Sequence, residues 1–581
     1  MKKMGGVRMK TGQGFALAMS LSTVVAGCGG AGAAGRGPDF PSQASLNELA
    51  SRPTTPERDS GRKTLPVDDW QPAESSEPTN EAEQLAKAAA SAKGQALPMN
   101  AELGCAAREI ARFYAAHGAF PDQQLQAYMA GVCGATEPNF GIMVWSTPND
   151  TLADATRQKQ WHDAIKKQLG EWLPAGSKQL GAAELSDGKT SVFAATAGSS
   201  DVVWEERSVV ANADGEVRLS GSLRTPAAFI YGLSNVGSYG VRDCRTDPRV
   251  APPRFRITCQ LDAADQAAWV DLQALPPGRV LARGIARVLI RREGAALAFT
   301  AATKNGTPES VTSPADFSKR MLSLVNETRR AGRLPELKLA TRESETSQRL
   351  ARHYFEGHSD ADLGDRIALG LLAGWDISST IRTGNFYSEM LSGSLDPKRW
   401  LGFMLEQPTA RRVLLDPQAR AIAIGPDVRP QSLSVGALVS TYAFYDSDDH
   451  GADVERFIAR LNERRQGLGL GPVKLAPAPE VTRAVQSVRT KHDPEAALQT
   501  ALEQVVARAQ HGVEGYYIEA TDLDHVDLPE ALLRPTVTLA VSAAHHRYPE
   551  AAWGTLTLLV VLLDSSGAQK TAQAVTTSRV H

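Results

Sequence analysis

Apolar residues fall into distinct patterns along this chain, and each predicts a different element. In "CAAREIARFYAAHG", Ala106, Ile110, Phe113 and Tyr114 recur at i, i+4, i+7 and i+8, one face of a helix. "DQQLQAYMAGVCG" and "DATRQKQWHDAIKKQLGEWL" read as further helices and "FGIMVWS" and "TSVFAAT" as strands, so residues 99–198 predict a small α/β module. From 199 to 305 the apolar runs shorten and alternate between turn signals, as in "EVRLSGSL", "AAFIYGLS", "FRITCQL" and "RVLARGIARVLIRR". That spacing predicts an antiparallel β-sandwich. Past 312 helical periodicity returns: Phe317, Met321, Leu324 and Val325 form a stripe, followed by a glycine break and the extended "LPELKL".

The chain then repeats itself. "LVNETRRAGRLPELKLA", residues 324–340, is echoed by "RLNERRQGLGLGPVKLA", residues 460–476. Laid without a gap, Asn326 matches Asn462, Arg329 matches Arg465, Lys338 matches Lys474 and Ala340 matches Ala476. The buried stripe of the second helix is predicted to be Val454, Phe457, Ile458 and Leu461. A helical "DPEAALQTALEQVVARAQ" and the β-rich "TVTLAVSAA" and "TLTLLVVLLD" follow. The copies stand 136 residues apart, one domain length, so 452–575 reads as a shorter relative of 312–446. Whether 99–198 is a third relative stays open.

The order of "VNETR", "LPELKL", "HSD" with "DRI", "PTARRVLLDP" and "AIAIG" resembles the CAP superfamily (SCP or PR-1-like domain) in its bacterial form, over residues 316–445. The resemblance implies an α-β-α sandwich. The expected fold is therefore multidomain α/β plus β: a CAP-like sandwich at 312–446, a degenerate second copy at 452–575, the β-sandwich module, and a disordered N-terminal tether. Family members that bind metal place two histidines and two acidic residues in a cleft. Here His358 matches the first histidine, and "TGNFYSE" stands at the family's "GEN", keeping Gly384 and Asn385, with Glu389 the nearest glutamate. Ala410 occupies the second histidine position beside a retained Arg411, and the second copy lacks the histidine positions. The resemblance thus implies a ligand cleft at His358, Asn385, Glu389 and Arg411, with no catalytic residue, metal or cofactor. The expected function is a non-catalytic binding or scaffold role toward a lipid, peptide or envelope polymer. The alternative is a divergent hydrolase in which His358 and a nearby carboxylate act as acid and base on envelope material.

The N-terminus bears on location. Lys2, Lys3, Arg8 and Lys10 precede the apolar "FALAMSLSTVVAG", which ends in "VAGC" and resembles the lipobox of bacterial lipoproteins. Residues 1–27 read as a lipoprotein signal peptide and Cys28 as the acylated residue, each buried acyl methylene contributing about 0.8 kcal/mol to membrane anchoring. The expected location is the bacterial cell envelope, lipid-anchored at the outer membrane or cell surface. Residues 28–98 are rich in Gly, Ala, Ser, Pro and Glu and are expected to be a disordered tether.

The remaining signals narrow the chemistry. Apart from Cys28, the cysteines are Cys105, Cys133, Cys244 and Cys259; pairing Cys105 with Cys133 and Cys244 with Cys259 keeps each disulfide inside one predicted module. There is no CxxC for zinc. With 63 Lys and Arg against 65 Asp and Glu, no global field attracts nucleic acid. GxSxG, HExxH and Walker A motifs are absent. "DSDDHGADVE" starts like a calcium loop, but its twelfth position is Phe457, so an acidic linker is expected. His545 and His546 are expected in a loop between strands.

Overall fold

The structure, a computed structural model, describes residues 40–580 apart from 55–62, 74–79, 139, 153, 175, 187, 302–308, 357–360, 446–449, 508–511, 521–522, 524–525, 527, 549–550 and 566–578. The signal segment, Cys28, His358 and the start of the acidic "DSDD" run lie outside the described residues. Two compact units are built mainly on Ala44–Ala368 with Asn385–Thr441, and on Leu369–Gly384 with Tyr442–His581.

The chain opens with α1 (Gln43–Ala50), β1 (Thr64–Leu65), β2 (Asp69–Trp70) and α2 (Asn80–Ala92). Within the described part of 28–98, these elements correct the expectation of a disordered tether. Ala82, Ala86, Ala89 and Ala90 recur at helical spacing and are buried against Trp161, Ile165 and Leu169. Alanine has the highest helix propensity and packs closely, yet carries little apolar surface, so composition alone hides this stripe.

Next come α3 (Ala101–His117), β3 (Phe120–Pro121), α4 (Gln123–Val132), β4 (Phe140–Pro148), α5 (Ala155–Trp172), β5 (Gln179–Ser186) and β6 (Thr190–Gly198). The three long strands form an antiparallel sheet in the order β4-β6-β5, and Met99 bridges parallel to Leu180 on β5. Asn100 caps α3 by accepting the Leu103 N–H. The helix lies directly on the sheet: a Cβ on Gly181 would fall 2.2 Å from the Leu103 carbonyl carbon, so only glycine fits there. The Cys105–Cys133 disulfide ties α3 to the end of α4, as expected.

The next segment supplies β7 (Val202–Arg207), β8 (Glu216–Leu223), β9 (Phe229–Val236), β10 (Gly240–Asp243), β11 (Arg245–Thr246), β12 (Arg254–Gln260), β13 (Ala267–Leu275), β14 (Arg283–Arg291) and β15 (Phe299–Thr300). Two four-stranded sheets, β11-β12-β8-β7 and β10-β9-β13-β14, enclose Val217, Leu219, Phe255, Ile257, Val270 and Leu272. Cys244, where the chain passes between the sheets, is bonded to Cys259 on β12. The short outer strands join distant parts of the chain, β1 pairing with β3 and β2 with β15.

The middle module is α6 (Pro314–Ala331), β16 (Lys338–Leu339), α7 (Thr341–Glu356), α8 (Ala361–Ala373), β17 (Ile381–Ser392), α9 (Pro397–Glu406), α10 (Pro408–Leu414), β18 (Ala421–Arg429) and β19 (Ser434–Phe444). Its sheet order is β16-β18-β19-β17. The predicted stripe Phe317, Met321, Leu324 and Val325 is buried against Trp400, Met404, Val413 and Ile422. The last module is α11 (His450–Gly467), β20 (Lys474–Leu475), α12 (Pro479–Lys491), α13 (Pro494–Val506), β21 (Gly512–Ala520), β22 (Thr538–His546), β23 (Thr555–Ser565) and β24 (Arg579–Val580), with sheet order β20-β22-β23-β21-β24.

The shared residues of the sequence repeat form one device, built twice. The Leu337 N–H donates to Asn326 Oδ1 at 2.8 Å and the Val473 N–H to Asn462 Oδ1 at 2.9 Å. Arg329 is fully buried and donates to the carbonyls of Pro335, Leu414 and Asp416 at 2.7, 2.8 and 3.0 Å. Arg465, equally buried, donates to Gly471, Leu532, Arg534 and Pro535. A guanidinium is the one side chain with enough N–H groups to hold so many turn carbonyls out of water.

The same topology occurs a third time, at 80–198. Met99-β5-β6-β4 repeats the order β16-β18-β19-β17, and the Asn100 N–H reaches Leu180 O at 2.8 Å just as Ala340 reaches Ile422 O at 2.8 Å. Counting back from Asn100 as from Ala340, the places of Asn326 and Arg329 are taken by Ala86 and Ala89, both buried. An alanine seam has replaced the polar clamp, which is why the sequence pattern starts this module one helix too late.

Candidate functional site

Glu389 sits on β17, and its surroundings are set by the kink between α9 and α10. Gln407 ends one helix and Pro408 begins the next, and this turns the Gln407 side chain inward, where it is buried. Gln407 Nε2 donates to Glu389 Oε2 at 3.3 Å, and its Oε1 accepts the Tyr387 hydroxyl at 2.5 Å. The same hydroxyl also points at Glu389 Oε2, 3.1 Å away, so its hydrogen is shared between the two acceptors. Burial raises the Glu389 pKa, opposed by the charge of Arg287 and by the bonds from Gln407 and Tyr387.

The sandwich closes over this group. Arg287 on β14 donates to Gln407 Oε1 and, at 3.0 Å, to Asp271 Oδ1 on β13. Asp271 Oδ2 accepts the Thr409 N–H at 3.2 Å and the Thr409 hydroxyl at 2.7 Å. Gln407 provides no capping bond to α10. The carboxylate of another module therefore does this work at the positive end of the helix. Asn235 on β9 adds a 2.7 Å bond to the Glu406 carbonyl.

Of the cleft residues named by the resemblance, His358 lies outside the described residues, and Glu389, Asn385 and Arg411 each bond to different partners within the fold. Glu389 is only 3% exposed and meets Tyr387, Gln407 and the Met390 N–H. Asn385 donates to Asp416 Oδ2 at 3.0 Å. Arg411 is turned to the backbone, donating to the carbonyls of Leu405 at 2.8 Å, Gly237 at 2.8 Å and Gly240 at 3.1 Å. Burial pushes its pKa down to about 10, and its N–H groups are spent on structure rather than offered to a ligand. Ala410 is buried in the core. Among the described residues, no three His, Cys, Asp or Glu side chains converge as metal ligands.

Glu406, at the end of α9, is a second carboxyl of this region, half-buried. Burial raises its pKa to about 7, while the 2.7 Å bond from Gln124 and the charge of Arg287 oppose the rise. A carboxyl whose folded pKa lies above its unfolded value binds its proton more tightly when folded. Stability is then greatest in acid, falls as pH rises from about 4.5 to about 7, and is level above. We expect Glu406→Gln to match the parent near pH 4.5 and to exceed it at pH 8 by an amount on the order of 2 kcal/mol, allowing for the partial exposure of this side chain. Urea denaturation across that range measures it, and a parent whose stability does not fall with pH would reject the assignment.

Sequence reasoning also missed the placement of the paired histidines. They end strand β22 rather than lying in a loop, and both are buried. Successive strand residues face opposite ways, so His545 Nε2 meets Asp453 Oδ2 on α11 at 2.6 Å while His546 turns toward α12. In the ungapped repeat, residue 358 falls opposite Pro494; in the fold, the histidine just past the second helix is His492.

No family model and no curated protein matches the sequence. Two solved structures are similar with a TM-score of 0.17. One is an extracellular protein containing a SCP domain from Bacillus anthracis str. Ames, 11% identical, covering 42% of this chain and 86% of that one. The other is a cysteine-rich secretory protein from Staphylococcus aureus subsp. aureus Mu50, 10% identical, covering 40% and 81%. The similarity to bacterial SCP/CAP proteins is weak. Among the described residues, no helix is long and apolar enough to cross a membrane.

Proposed function

We propose that this chain is an exported bacterial envelope protein, anchored through acylated Cys28, that binds or scaffolds a lipid, peptide or envelope polymer through its CAP-like module without catalysing a reaction. The observation that supports this reading is the sealing of Glu389. A general acid or base has to reach its substrate, and this carboxyl is enclosed by Tyr387, Gln407 and the Arg287–Asp271 pair. Purified protein should co-sediment with cell-wall sacculi or lipid vesicles without releasing soluble fragments, and Glu389→Gln should leave this unchanged. Fragment release that is lost in Glu389→Gln would establish the divergent hydrolase instead. For the anchor, Cys28→Ser should abolish incorporation of labelled palmitate, because only a thiol there can carry the diacylglyceryl group. Label in the variant would overturn it.

A further inference from the structure

Two histidines face each other in the last module. His546 ends β22 with its side chain fully buried, and His492, half-buried, ends α12. Their Nδ1 atoms are 3.4 Å apart. That is long for an N–H···N hydrogen bond, which centres near about 2.9 to 3.0 Å. It fits two imidazole nitrogens on one tetrahedral zinc ion, since Zn–N bonds of about 2.0 to 2.1 Å at the tetrahedral angle put the nitrogens about 3.4 Å apart.

The surroundings of His546 suit the tautomer that leaves Nδ1 as a lone pair. Its Nε2 lies 2.9 Å from Thr557 Oγ1 and 3.7 Å from Glu519 Oε1. A ring proton on Nε2 would face the Thr557 oxygen with the Glu519 carboxylate behind it, an arrangement shared by imidazoles that bind a metal through their other nitrogen. Glu519 is itself fixed by the Tyr548 hydroxyl at 2.5 Å, and the Tyr548 ring stands 4.7 Å from His546 and 6.0 Å from His492. His492 adopts φ 51° and ψ 34°, a left-handed conformation that non-glycine residues seldom take. This conformation ends α12 and brings the ring to His546, while its partial exposure leaves a side open to solvent.

We propose that His492 and His546 bind a divalent transition-metal ion, zinc(II) being the ion to test, through their two Nδ1 atoms, with water completing the coordination. Imidazole selects zinc, copper or nickel over magnesium or calcium. The site lies outside the middle module and does not depend on the binding or scaffold reading.

Calorimetric titration of the full-length protein with zinc chloride tests it, with His492→Asn as the variant. Asparagine tolerates the left-handed backbone, so the helix end is kept. The expected result is a zinc site whose affinity falls at least about tenfold in His492→Asn, as for loss of one of two protein ligands. Electron paramagnetic resonance of the copper(II)-loaded parent should show two imidazole nitrogens, reduced to one in the variant. Absence of zinc uptake, or uptake unchanged in His492→Asn, would overturn the proposal and make the pair a weak imidazole contact.

Discussion

Arg329→Met should destabilise the middle module by about 3 to 5 kcal/mol. Methionine fills much of the same volume but donates nothing. The carbonyls of Pro335, Leu414 and Asp416 then stay in a place from which the arginine had excluded water. Each buried acceptor left unpaired costs about 1 to 3 kcal/mol, and their sum outweighs the desolvation cost saved by removing the charge. Arg329→Lys should recover less than half, because an ammonium cannot span three carbonyls set at guanidinium spacing. Hydrogen exchange along 334–340 and 414–422, together with denaturant unfolding, reads the loss directly. A cost below about 1 kcal/mol would mean that these carbonyls find other donors. Arg465→Met should act in the same way in the last module, where four carbonyls depend on it.

The second large effect is expected for Asp271→Ala, also about 3 to 5 kcal/mol. The substitution strands the Arg287 guanidinium in a buried setting and leaves the Thr409 N–H and hydroxyl without their acceptor. Removing one partner of a buried ion pair costs more than removing both, so Asp271→Ala with Arg287→Met should be more stable than Asp271→Ala alone. A double-mutant cycle in urea gives the coupling between the two residues. Additive costs would show that the pair does not fasten the sandwich to the α9–α10 kink. Functionally, Asp271→Ala is the change that would loosen the cover over Glu389. If enclosure alone keeps that carboxyl from acting as an acid or base, hydrolysis should appear in this variant.

Legibility from sequence varied with the kind of interaction. The stripe of Phe317, Met321, Leu324 and Val325 was readable because helical periodicity is local, and all four residues are buried. The repeat of Asn326 and Arg329 at Asn462 and Arg465 was readable because a polar clamp tolerates few other residues. The copy at 80–198 was not, since Ala86 and Ala89 fill those places and alanine leaves no distinctive pattern. The segment 80–92 reads as tether for the same reason: its low hydrophobicity conceals a helix that packs against Trp161 and Ile165. In the candidate site, the resemblance pointed to Glu389, but Arg411 proved to be a brace for the turn between β9 and β10.

By itself, then, the sequence determined where most helices and strands form, which cysteines pair and that the clamped unit recurs. Those features follow from residue spacing or from partners within one module. Only the tertiary structure decided that Asp271 and Arg287 close over Glu389, that 80–198 shares the topology of the middle module, and that His492 meets His546. Such meetings are set by how elements far apart in the chain pack together, and a side chain whose partner lies on another element leaves no periodic trace in the sequence around it.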